Sequence, residues 1–211
     1  MDFSKEARFC LIPSLGTSLR SLFSSLIYLK NKLNMGSQNL FATVLCLSHI
    51  LILFLGGLIN ELFGLVGIIF YFPGLFIFPT SLLLDRRYAL PVLFLSGLAY
   101  DHSFGIAFGF HGIGFCFLYF ITAQLFHSGQ KSAPIRPATF QIACNVVLAM
   151  VWFIVLKTGI LPHGEWTFFR FVLDLLCSTI LLIPLVHWYP VFCSCLLELL
   201  STRSAPKIKS I

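Results

Sequence analysis

The chain has 211 residues, of which 58% are hydrophobic and only 10% charged, with a mean hydropathy of +0.93. Its apolar runs are too long for the core helices of a soluble protein, and a bilayer core of ~30 Å takes ~20 apolar residues per crossing. The net charge of +6 is carried by cations scattered over four loops rather than gathered on one face, so contact with anionic lipid is expected and a nucleic-acid partner is not.

Residues 1–38 form a basic extension in which Leu15, Leu19, Leu22, Phe23, Leu26 and Ile27 recur at helical spacing. They lack the uninterrupted apolar core of a signal peptide. Two readings stay open: an interfacial amphipathic helix, or translation that begins at Met35.

Residues 39–190 read as one all-α transmembrane domain of about six helices. The predicted crossings run from Leu40 to Ile59, Leu62 to Leu84, Tyr88 to Asp101, Ile106 to Phe126, Ala138 to Leu156 and Phe171 to Tyr189. A short basic tail, 191–211, follows. Lys5, Arg8, Arg20, Lys30 and Lys32 precede the first crossing, Arg86 and Arg87 separate the second and third, Lys131 and Arg136 the fourth and fifth, and Arg203, Lys207 and Lys209 follow the sixth. Only Lys157 and Arg170 fall on the opposite side. Short loops rich in Lys and Arg stay in the cytoplasm, so both termini are predicted to be cytoplasmic.

Ionisable side chains inside such helices need a reason, since each costs ~2.5–3.5 kcal/mol at the bilayer centre on insertion scales. Asp101 stands 14 positions after Arg87, about 21 Å of helix. That falls short of the far surface, so a break in the backbone is predicted there, with Gly105, Gly109, Gly112 and Gly114 supplying it. Gly105 and Gly109, four apart, are also read as a small-residue contact for a neighbouring helix. With His111 this stretch suits a polar pocket or partner contact. A purely structural reading is compatible: Asp101 accepts backbone N–H bonds at the start of the fourth helix. Glu61, Lys157, Arg170 and Asp174, with Asp101, are placed in one polar layer of the outer leaflet, Arg170 and Asp174 as an i,i+4 pair.

His49 and His187 are read as lone polar groups satisfied by a neighbouring helix. Pro91 suits a first turn, whereas Pro73 and Pro184 are expected to kink their helices. Trp166 and Trp188 fall near opposite interfaces. The seven cysteines imply no disulfide framework, and Cys193-Ser-Cys195, without a second pair or a nearby His, is not expected to bind metal. No GxSxG, HExxH, phosphate loop or paired loop carboxylates occur, so neither an enzyme nor a cofactor is expected.

The stretch Gly97-Leu98-Ala99-Tyr100-Asp101-His102-Ser103-Phe104-Gly105-Ile106-Ala107-Phe108-Gly109-Phe110-His111 resembles the G-L-x-x-D-x-x-x-G-x-x-x-G-x-H pattern of the rod-shape-determining MreD family. A Pro-containing second helix and Leu182-Ile183-Pro184 extend the likeness loosely over residues 40–190. The N-terminal 38 residues and the high Phe content depart from the usual pattern. The resemblance implies a non-enzymatic inner-membrane component of the bacterial elongation machinery, which couples an actin-like cytoskeleton to peptidoglycan synthesis. Its expected partners are an MreC-like single-span protein, a RodA-type polymerase and a penicillin-binding transpeptidase. It implies that Gly97, Asp101, Gly105, Gly109 and His111 shape the junction the partner recognises. The competing reading is the substrate-binding subunit of an energy-coupling-factor vitamin transporter, for which Ala42-x-x-x-Cys46 is a poor match to the small-residue docking motif. A lipid-handling enzyme, which calls for more His and carboxylates at one depth, is weaker still.

Overall fold

The computed structural model describes residues 35–106, 108–127, 137–157 and 167–203, and among them every regular element is a helix. In chain order these are α1 (Met35–Gly64), α2 (Gly74–Leu83), α3 (Arg86–Phe104), α4 (Phe110–His127), α5 (Pro137–Lys157) and α6 (Phe168–Arg203). Three stretches, Gln38–Gly64, Ala138–Lys157 and Phe168–Cys193, are long and apolar enough to cross a membrane. Their outward faces carry exposed Leu47, Phe54 and Leu62 on α1 and Leu176, Ile180 and Ile183 on α6, the surface a helical membrane protein offers to acyl chains. The predicted extension 1–38 and the end of the tail lie almost wholly outside the described residues, as does Trp166.

The first two predicted crossings are redrawn. Asn60 and Glu61 do not end α1, which continues to Gly64 and closes on Gly67 at φ +78°. There Gly67 N–H bonds to Gly64 C=O and Ile68 N–H to Phe63 C=O, the paired bonds of a Schellman cap. Residues 65–73 then run without helix, and α2 holds only 10 residues, about 15 Å. Pro73 explains the late start: it denies the helical region to the residue before it and suits the first turn that follows. It starts a helix rather than kinking one.

α2 is the axis of the molecule. All ten of its residues are buried, with α3, α4, α5 and α6 packed around it and His49 of α1 resting on Phe76 at 4.7 Å between ring centroids. A Cβ added at Gly74 would stand 2.6 Å from the Gln141 carbonyl oxygen, so α5 meets the first turn of α2 backbone to backbone. A second close seam joins α3 to α4, where a Cβ at Gly97 would lie 2.4 Å from both Cα and N of Gly112.

That seam corrects the reading of Gly105 and Gly109. Neither sits within a helix, both have positive φ (+61° and +104°), and a Cβ on either would meet nothing within 4 Å. They turn the chain, as only Gly does cheaply, and the close helix approach belongs to Gly97 and Gly112. At the other end, α6 runs past the predicted limit at Tyr189 to Arg203. Pro184 lies inside it without ending it, and Trp188 is exposed and stacked on Phe192.

Candidate functional site

α3 ends as α1 does. Gly105 takes the left-handed conformation, its N–H bonding to His102 C=O, and Ile106 N–H bonds to Asp101 C=O at 2.9 Å. The carboxylate of Asp101 reaches across the turn instead of outward. Its Oδ2 accepts Gly109 N–H at 2.8 Å, and its Oδ1 accepts both His111 N–H at 3.0 Å and the His111 ring at 2.7 Å. Asp101 is therefore the cap of α4, the structural role read from sequence, and it fastens one helix end to the next. Its charge lies against two orphan N–H groups at the positive end of α4.

The chain of bonds goes further. His111 Nε2 lies 2.7 Å from the hydroxyl of Tyr71, in the irregular stretch before α2. Because an ionised carboxylate only accepts, His111 Nδ1 donates to Asp101, and Nε2 pairs with the Tyr71 hydroxyl, accepting its O–H when the ring is neutral. Asp101 and His111 are wholly buried and Tyr71 nearly so. Aromatic rings surround them: Trp152 stacks on Tyr71 at 5.0 Å, and Tyr100 packs against His111 at 4.6 Å.

The irregular stretch itself is held by side chains from three helices. Asn60 Oδ1 accepts Phe70 N–H at 2.7 Å while its amide donates back to Phe70 C=O. Asp174 Oδ1 accepts Ile69 N–H at 3.0 Å, and Ser178 Oγ accepts Tyr71 N–H at 2.8 Å. Asn145 bridges the last gap, donating to Tyr71 C=O at 3.0 Å and accepting Gly74 N–H at 3.2 Å. Non-helical backbone is tolerated in an apolar interior when its polar groups are matched in this way. Replacing Asn145 with Ala leaves two buried backbone groups unmatched, about 2–5 kcal/mol. The expected fall in melting temperature in mild detergent is roughly 5–15 °C for a chain of this size. Thr43→Ala, which removes only an exposed bond to Asn39 within α1, serves as control and should barely move it.

The predicted polar layer is only partly assembled. Arg170 Nε stands 4.0 Å from Asp174 Oδ2, the i,i+4 pair, and Asp174 also serves the irregular stretch. Glu61 is exposed at the end of α1, and Lys157 lies over the Phe153 ring at 5.8 Å, so the structure does not bring these two to Asp101. His49 is satisfied by its neighbours, with Ser96 of α3 at 2.7 Å and Thr80 of α2 at a longer 3.5 Å. His187 instead bonds the carbonyl of Ile183 in its own helix. Tyr71, Asn60, Asn145 and Ser178 were not singled out from sequence. The available signal was an amide or hydroxyl in an otherwise apolar helix, which is common enough to pass unnoticed.

Among the described residues no group of three or more His, Cys, Asp or Glu is placed to hold a metal. What the site does chemically is to hold α1, α5 and α6 onto the backbone of residues 69–74, and α3 and α4 onto the same stretch through the Tyr71 hydroxyl. The class so defined is, over the described residues, all-helical, with three membrane-length helices and an enclosed half-length one. Compared with protein-family models, curated proteins and solved structures, the chain finds no match in any of the three.

Proposed function

We propose that this chain is a non-enzymatic scaffold of the bacterial inner membrane, acting in the cell-elongation machinery and helping to maintain rod shape. It would link the cytoskeleton to peptidoglycan synthesis through an MreC-like single-span partner, with a RodA-type polymerase and a penicillin-binding transpeptidase in the wider assembly. The observation that carries this reading is the joint made by residues 97–111. Five of the six residues that the MreD-like pattern specifies have a task there: Gly97 admits α4, Asp101 caps it, Gly105 and Gly109 turn the chain, and His111 ties the turn to Tyr71.

Six crossings with both termini in the cytoplasm fit the placement of Lys and Arg. The half-length α2 fits as well, because nine further residues, 65–73, reach at most ~30 Å and need to cover only about 15 Å of a ~30 Å core. A vitamin-binding subunit is less favoured, since Asp101, His111, Asn145 and Ser178 are taken up with one another, with Tyr71 or with backbone rather than lining an open pocket.

The test is affinity purification of the tagged chain from its host in mild detergent, with mass spectrometric identification of what accompanies it. A single-span MreC-like protein together with wall-synthesis enzymes is the expected result. Paired transport ATPases with a membrane coupling subunit would overturn the reading in favour of vitamin uptake.

A further inference from the structure

Going round the bundle, α4 packs on α3, α3 on α1, α1 on α6 and α6 on α5, but no extensive seam joins α5 back to α4. A gap of about 540 Å³ lies between those two, bordered by Gly114 and Phe117 on one side and Cys144 and Val147 on the other. The contrast with the α3–α4 seam is direct. A Cβ at Gly97 would strike backbone at 2.4 Å, whereas one at Gly114 would meet the end of the Leu148 side chain at 3.2 Å.

The two ends of this gap are tied differently. At one end the chain itself is the tie, since residues 128–136 run from α4 to α5. At the other end Tyr71 is the bridge. Its hydroxyl meets His111, in the first turn of α4, at 2.7 Å. Its carbonyl accepts from Asn145 of α5 at 3.0 Å, and its ring lies flat on Trp152 of α5, 5.0 Å away and tilted by 18°. Its N–H bonds to Ser178 of α6. One polar atom of Tyr71 therefore reaches α4, and the other two hold it to α5 and α6. Phe110 and Val151, next in sequence to His111 and Trp152, line the gap at this same end.

Each side of the gap is firm in itself. The Gly97–Gly112 approach and the Asp101 clamp make α3 and α4 one piece. On the other side Phe153 of α5 stacks on Phe171 of α6 at 4.4 Å, and Asn145, Asp174 and Ser178 fix residues 69–74 to both helices. The contact of α4 with α2, as where Phe115 lies 6.4 Å from Phe76, is apolar and non-directional, so it permits small shifts. A hydrogen bond permits far less.

We propose that Tyr71 is the latch of a lateral opening. Breaking its bond to His111 lets the α3–α4 pair swing away from α5 at the end opposite residues 128–136, while residues 65–73 stay with α5 and α6. This is a conformational device of the chain itself, and it does not depend on the scaffold reading.

The molecule carries its own reporter. Cys144 lines the gap yet is 4% exposed, whereas Cys193 of α6 is 0% exposed and lies outside it. The full chain in mild detergent is treated with N-ethylmaleimide, and the alkylation rate at each cysteine is read by peptide mass spectrometry. Tyr71→Phe removes the hydroxyl alone and keeps the ring and both backbone bonds. With one buried hydrogen bond fewer, Cys144 should react roughly tenfold faster than in wild type, and Cys193 at an unchanged rate. His111→Phe, which removes the same bond from the α4 side, should act alike. An unchanged Cys144 rate in Tyr71→Phe would overturn the proposal. So would equal acceleration at Cys144 and Cys193, which is general loosening of the fold rather than an opening at one seam.

Discussion

Replacing Asp101 with Ala should lower stability by about 3–5 kcal/mol, because three donors lose their acceptor at once: the N–H groups of Gly109 and His111 and the His111 ring. In mild detergent this reads as a fall in melting temperature of on the order of 10 °C. Asp101→Asn separates charge from geometry. An amide in place of the carboxylate has a single oxygen, so whichever way it is turned its NH2 faces a backbone N–H. Asn should therefore recover only a minor part of the loss. His111→Phe should cost less than either, because it keeps both backbone bonds to Asp101 and gives up only the ring's two. Asp101 and His111 variants of equal stability would show that the cap is not what holds the junction.

The second large effect is expected at Gly97. A methyl group there meets Gly112 backbone atoms at 2.4 Å, far inside any real contact, and backbone cannot rotate out of the way. Gly97→Ala must push α3 and α4 apart, which costs about 3 kcal/mol or more by the standard of an overpacked core. At Gly112 the nearest atoms to an added Cβ are those of the Phe94 side chain, at 3.1 Å, and a ring can give way. Gly112→Ala should therefore cost less than half as much. Thermal unfolding of the two variants side by side is the check, and equal losses would mean that the two helices are not held backbone to backbone.

The capping role of Asp101 was legible because a carboxylate in an apolar run has few ways to be satisfied. The glycines that follow it announced a turn beside it. Their task was only half legible. A spacing of four reads as a helix contact when both residues are helical, and sequence does not reveal that Gly105 and Gly109 have positive φ instead. The break in the second crossing was invisible for a different reason. Ile68-Ile69-Phe70-Tyr71-Phe72 is as apolar as any helix in the chain, and whether such a run is helical depends on which side chains reach its backbone. Asn60, ten residues before Phe70, and Pro73 are local, but the remaining side chains, Asn145, Asp174 and Ser178, lie on α5 and α6. No local pattern points to those three. The far end of α6 is the opposite case: Leu196-Leu197-Glu198-Leu199-Leu200 contains no breaker, so the helix continues beyond the point where the apolar count alone ended it.

These long-range bonds also impose an order of events during synthesis. Ile69 waits for a carboxylate 105 residues later in the chain, and Tyr71 for a hydroxyl 107 residues later. Until α6 emerges from the ribosome, residues 65–73 have no complete set of partners, and α2 has no finished wall around it. The α3–α4 seam can close as soon as both helices are made, but residues 65–73 cannot reach their final arrangement until the last helix arrives. A nascent chain halted after α5 is accordingly the form most exposed to membrane proteases, and maturation of the whole molecule is set by its final helix.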